Sequence, residues 1–205
     1  MRYFLVLNLG WMAACGGAVE PRTGCDPLDD TLCALPFPSS YFLSENAEST
    51  TGFQVDFGPT ALPINRDDVP LTPTYWNEKD GFSTSTPILA FFPDVDEALL
   101  LSHTNLSAYA SDTVSTVLVN AETGDRVPHF TELDYAYQDE IIVYQPHETL
   151  LHIYPVEPLD FGTRYVVGYR ALKNSAGEAF APSAAFAALR DDKSTDQDDI
   201  EFRRE

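Results

Sequence analysis

Basic residues are scarce in this 205-residue chain: 12 Lys and Arg stand against 32 Asp and Glu, a formal net charge of −20. A surface this acidic is repelled by phosphate backbones, whose binding draws on Lys and Arg, so nucleic acid is excluded as a partner. Bilayer-length apolar runs are missing too. The stretch Tyr3 to Leu9, interrupted by Asn8, falls well short of the ~20 residues that a membrane-spanning helix needs. Catalytic signatures are equally thin. Gly81-Phe-Ser83-Thr-Ser85 opens like a nucleophile elbow but lacks the closing glycine that permits the sharp strand-to-helix turn. His147-Glu148-Thr-Leu-Leu-His152 spaces its histidines five apart, where two zinc ligands on one helical face need i and i+4. No glycine-rich phosphate loop appears. The four histidines, His103, His129, His147 and His152, are scattered, and surface or strand-edge positions account for them.

Cysteine is rare as well, and each of the three residues needs an explanation. Arg2, the apolar stretch Tyr3–Leu9 and the small residues Ala13-Ala14 ahead of Cys15 have the layout of an export leader. A cysteine directly after two alanines resembles the lipobox of bacterial lipoproteins. The alternative is a plain secretory leader. The lipoprotein resemblance implies cleavage after residue 14 and lipid attachment to the Cys15 thiol, making the membrane a partner through acyl chains. Several chains would be needed, since each buried CH₂ contributes ~0.8 kcal/mol and one chain alone is marginal. Gly16 follows where an Asp would resemble an inner-membrane retention signal, which favours an outer-membrane or cell-surface location.

Cys25 and Cys33 then remain as a pair. Export places them in an oxidising compartment where disulfides persist, and Pro27 with three acidic residues between them suits a stapled turn. Two sulfurs without a nearby histidine fall short of the four ligands of a structural zinc site.

Fifteen prolines and eleven glycines favour strands and turns, and apolar content is 44%, enough for a core. The expected divisions are a leader over 1–14, a tether with the disulfide loop over 15–34, an irregular approach segment over 35–80, a β-sandwich over 81–189, and an acidic linker with a helix start over 190–205. Within the approach segment, Leu35-Pro-Phe-Pro38 predicts an extended strand-edge path pinned by aromatics. Phe53, Val55 and Phe57 alternate like a short strand with one buried face. Strand candidates follow about every ten residues: Pro87–Phe92, Thr116–Asn120, Arg126–Phe130, Glu140–Tyr144, Leu150–Tyr154 and Tyr165–Tyr169. Glu122-Thr-Gly124 predicts a hairpin between the second and third of these. That spacing predicts an all-β fold, an antiparallel sandwich. Leu159, Thr163 and Tyr165 stand at the spacing of a tyrosine corner, in which the hydroxyl bonds back to upstream backbone where the chain changes sheets.

Leu150 to Phe180, with Pro-Val-Glu-Pro-Leu159, Gly-Thr-Arg-Tyr165 and a small-residue turn at Gly177, resembles the end of a bacterial Ig-like domain of the surface-layer type. Leu35-Pro-Phe-Pro-Ser-Ser and Trp76-Asn-Glu-Lys-Asp-Gly-Phe-Ser-Thr-Ser-Thr-Pro-Ile are similar to the region ahead of the α/β-hydrolase domain in bacterial virulence-factor lipases. The resemblance covers most of residues 25–190 and carries no catalytic residue. It implies a spacer or substrate-presenting role beside a downstream hydrolase domain. The helix start at Ser194-Thr-Asp-Gln197, running into Ile200, fits a chain that continues toward such a domain. The competing expectation is an independent adhesion or glycan-binding module, with Tyr75, Trp76, Tyr135 and Tyr137 stacking on sugars; a protein ligand also remains open.

No cofactor is expected. Ca²⁺ is the one ion the acidic residues leave open: Asp192, Ser194, Asp196 and Asp198 alternate as in a calcium loop. Gln197 stands where that loop needs glycine and Arg203 where it needs Glu, which favours a solvated linker. Asp94, Asp96 and Glu97 are a second acidic group with nothing in sequence to select it. The acidic excess otherwise serves solubility, or reflects a salty habitat.

Overall fold

The computed structural model describes residues 25–28, 33–63, 65, 67–134 and 150–204. The leader and Cys15, the Glu140–Tyr144 strand candidate, His147, Tyr135 and Tyr137 lie outside them. The fold is all-β, and its described strands pair antiparallel. A hairpin joins β1 (Leu43–Glu45) to β2 (Phe53–Val55). A three-stranded sheet has the order β3 (Ile88–Phe91), β6 (Leu150–Pro155), β5 (His129–Leu133). A two-stranded sheet pairs β4 (Thr116–Asn120) with β7 (Tyr165–Tyr169).

Period-two alternation explains which face each strand buries. In β6, Leu151 and Ile153 are fully buried while His152 and Tyr154 point to the opposite face. Ile88 of β3 sits opposite Ile153, and Ala90 opposite Leu151, so the buried row continues across the sheet. Leu118 of β4 is fully buried against Ile88 and Ile153, with Tyr165, Val167 and Leu159 packed around them. One apolar core thus lies between the two sheets. Each fully buried aliphatic side chain there contributes about 1.5–3 kcal/mol relative to exposure. A second cluster, Val95, Leu151 and Leu172 with Phe92 and Phe180 beside it, closes one end.

The expected hairpin between Thr116–Asn120 and Arg126–Phe130 forms at its turn and as far as Val127, whose N–H donates to the Leu118 carbonyl at 2.8 Å. Gly124 takes a left-handed φ of +77° and donates its N–H to the Asn120 carbonyl, and Val119 bridges to Arg126. The chain then leaves β4. Pro128 has no N–H to extend that ladder, and the next residues enter the other sheet as β5, paired to β6. β4 finds its ladder in β7 instead, with Leu118 opposite Val167.

The segment over 35–80 is more ordered than an irregular approach. Phe37 exchanges two backbone hydrogen bonds with Leu89, extending the free edge of β3. The rings of Phe37, Phe42, Phe57 and Phe82 then pack together, with centroids 4.8–6.4 Å apart for Phe42–Phe57, Phe37–Phe82 and Phe37–Phe57. Tyr41, Val55 and Ala61 complete this buried cluster under the β1–β2 hairpin. Near the end of the expected sandwich stands a short helix instead, α1 (Ala184–Arg190), whose first turn is capped by Ser183 accepting from the Phe186 N–H. α2 (Asp198–Glu201) follows and runs into a 3-10 turn at Phe202–Arg204.

Candidate functional site at the tether junction

The disulfide between Cys25 and Cys33 is present. Inside its loop, Asp26 is completely buried (0% exposed), a rare state for a carboxylate. Its surroundings explain how it is tolerated. The Leu28 N–H donates to Oδ1 at 3.0 Å. Ser39 Oγ donates to Oδ2 at 2.9 Å, and Arg203 Nη2 donates to the same oxygen at 2.7 Å. Burial raises the Asp26 carboxyl above the ordinary range, and Arg203, the Leu28 N–H and Ser39 only partly offset it. Ser39 is fully committed as well. It donates to Asp26 and accepts from Arg203 at 2.8 Å and from the Tyr41 N–H at 3.2 Å, which uses its one proton and both lone pairs. The Arg203 guanidinium lies 5.3 Å from the Tyr41 ring centroid and its side chain is 11% exposed.

This cluster joins residues 177 positions apart, the disulfide loop and the last helical turn. The neighbouring Arg204 points the other way. It donates to Glu201 at 2.7 Å, to Asp192 at 3.3 Å and to the carbonyls of Ala188 and Lys193, tying α1 to α2. The Arg204 hydrogen bond, followed by the N–H and hydroxyl of Thr195, holds the Glu201 carboxyl down to about 2. Chemically the junction is a clasp: the Asp26 carboxylate, the Ser39 hydroxyl and Arg203 Nη2 are spent on one another and on nearby backbone N–H groups. Sequence inspection missed Asp26, Ser39 and Arg203. The one available signal was an acidic residue enclosed by two cysteines, which has no local reason to be buried.

The second expected structural site lies where the chain crosses from β6 in one sheet to β7 in the other. The Asp160 N–H donates to the Tyr165 hydroxyl at 3.0 Å, and that hydroxyl faces Asp160 Oδ2 at 3.4 Å. Leu159 packs into the core between the sheets, and Thr163 Oγ1 donates to the Phe161 carbonyl at 3.2 Å.

The remaining candidates stay apart. Ser175 donates to Asp94, while Asp96 caps the turn at Glu97–Leu99 by accepting from the Ala98 N–H at 3.0 Å. Asp192 is taken by Arg204. Among the described residues, no group of three or more His, Cys, Asp or Glu is placed to hold a metal ion. Tyr75 and Trp76 are exposed, 64% and 43%, but meet edge to face at 85°, and Lys79 Nζ covers the Tyr75 ring at 4.2 Å.

Among the described histidines, His129 stands at the start of the edge strand β5 but is buried rather than on the surface. Its Nδ1–H donates to the Val127 carbonyl at 2.8 Å, so Nε2 accepts from the Thr116 hydroxyl at 3.0 Å. Burial lowers its pKa and keeps it neutral. The pair mimics a nucleophile with its base, but Thr116 has no exposed surface and no carboxylate orients the ring. Its role is to satisfy polar groups inside the core.

No family model, curated protein or solved structure matches this chain.

Proposed function

We propose that this protein is a non-catalytic surface module of bacterial origin, held to the outer membrane or cell surface by acyl chains on Cys15. It serves as a spacer or substrate-presenting domain of an exported lipase- or esterase-like hydrolase. The observation that carries the proposal is the clasp at the tether junction. An anchored module transmits any pull on its tether into the body where the tether meets the cross-linked part of the chain. Here that part is closed by Cys25–Cys33 and fastened through Asp26 to Ser39 and Arg203. Load entering at the tether therefore passes directly to the turn at Phe202–Arg204, the side from which a following domain would continue. An Ig-like character for the sandwich is the finer part of the same reading. It draws support from two sheets sharing one core and from the Tyr165 hydrogen bond at the crossing between them.

Metabolic labelling with an alkynyl fatty acid in a bacterial host tests the anchor. Label and membrane association are expected in the natural chain and lost in Cys15→Ser; label that persists in Cys15→Ser refutes the anchor. Turnover of short-chain p-nitrophenyl esters by this chain alone would overturn the non-catalytic assignment.

A further inference from the structure

Away from the junction, a cleft of about 410 Å³ opens between the β1–β2 hairpin, the turn at Pro73–Glu78 and the Phe37 edge. Its size falls within the roughly 300–1,000 Å³ of small-molecule sites. Phe37, Val55, Phe57, Leu62 and Phe82 line its interior, and Trp76 stands at the mouth. The interior is therefore almost wholly apolar. Leu71 also lines it and, like Trp76, remains substantially exposed, so the apolar surface continues outward onto the rim.

One cation interrupts this lining. Lys79 is held in place through its backbone: its carbonyl accepts the Val55 N–H at 2.8 Å and its own N–H donates to the Trp76 carbonyl at 3.0 Å. Among the described residues its ammonium is in no ion pair, and it rests over the Tyr75 ring. Of the other described cations, Arg126, Arg190, Lys193, Arg203 and Arg204 pair with carboxylates, whereas Arg164, Arg170 and Lys173 are, like Lys79, in no described ion pair. In a chain of net charge −20, what sets Lys79 apart is its place among the described residues that line the cleft. The hydroxyl-bearing residues Ser83 and Thr86 complete the polar part of the lining.

We propose that this cleft binds a medium-chain aliphatic carboxylic acid, the alkyl chain lying over Leu62, Leu71 and Phe82 and the carboxylate pairing with Lys79. The apolar interior supplies affinity in proportion to chain length. Lys79, the sole charged group among the described lining residues, selects an anionic head. Neither contribution depends on whether Cys15 carries lipid.

The chain has two tryptophans, Trp11 and Trp76, so Trp11→Phe leaves Trp76 as the sole reporter. Cys15→Ser in the same chain prevents its own acyl groups from competing. Titrating that protein with octanoate, decanoate and dodecanoate, each below its micellar concentration, is expected to change Trp76 fluorescence saturably. Affinity should tighten by roughly fourfold per added CH₂ until the cleft is filled. Decanol should bind at least several-fold more weakly than decanoate, and Lys79→Met should abolish that difference while leaving decanol binding intact. A flat dependence on chain length, equal affinity for decanoate and decanol in the starting protein, or saturation by a pyranoside sugar without response to decanoate would each overturn the proposal.

Discussion

Replacing Arg203 by Met probes the clasp directly. Met keeps most of the aliphatic bulk beside Tyr41 but removes the charge and the donors to Asp26 and Ser39. Among the described residues, the buried Asp26 carboxylate is then left with the Leu28 N–H and the Ser39 hydroxyl to stabilise it. Stripping one partner from a buried ion pair costs about 3–5 kcal/mol. Taking about 3 kcal/mol and a urea m-value of about 2 kcal/mol/M, the midpoint of unfolding should fall by about 1.5 M. The burden lies in the stranded charge rather than in lost packing, so Asp26→Asn should rescue it. The double variant is expected to be more stable at pH 7 than Arg203→Met alone. Asp26→Asn by itself should cost less than Arg203→Met, because burial already pushes this carboxyl upward and Asn keeps an oxygen facing Arg203. Acid should help in the same direction. A carboxyl with its folded pKa above the unfolded value contributes stability that is fully present below the unfolded value and is lost as pH rises through the folded one. The Arg203→Met deficit should therefore shrink as pH is lowered from 7. Urea titrations of the four proteins at pH 7 and 5 decide the matter. Additive effects within about 0.5 kcal/mol, together with a deficit insensitive to pH, would refute the reasoning.

Three further outcomes are expected. Tyr165→Phe removes the acceptor for the Asp160 N–H while keeping the ring in the core, so a loss of about 1 kcal/mol in urea unfolding is expected; no change would mean that this hydroxyl does not hold the crossing. His129 has its pKa lowered by burial, so its contribution to stability should be lost as pH falls from about 6.5 through the folded value. Thr116→Val strands its Nε2 and should cost about 1–3 kcal/mol, while a His129 ring resonance titrating near 6.5 in the folded protein would contradict the buried neutral assignment.

Much of the fold was legible because strand formation leaves a local mark. Leu151 and Ile153 alternate with His152 and Tyr154 within six residues, and that alternation alone marks both the strand and its buried face. The turns at Gly124 and Gly177 were legible for a similar reason, each requiring a positive φ that glycine adopts without strain. Helix α1 was missed because Ala-Ala-Phe-Ala-Ala-Leu-Arg190 is short and bears no strong apolar stripe; its Ser183 cap was the overlooked signal. The hairpin expected after β4 was half right, since its turn chemistry is local but the partner chosen beyond Pro128 is not.

The sequence by itself determined that this is an all-β chain with a strand about every ten residues, a short cysteine loop and a strongly acidic charge, because composition and period-two patterning act within a few residues. Only the tertiary structure decided that β4 pairs with β7, that Phe37 lies along the edge of β3, and that Asp26 meets Arg203 across 177 positions. Such pairings follow from which buried surfaces and charges compensate one another once the sheets have packed. A carboxylate in a cysteine loop and an arginine in a terminal turn carry no local trace of each other until burial makes each the other's remedy.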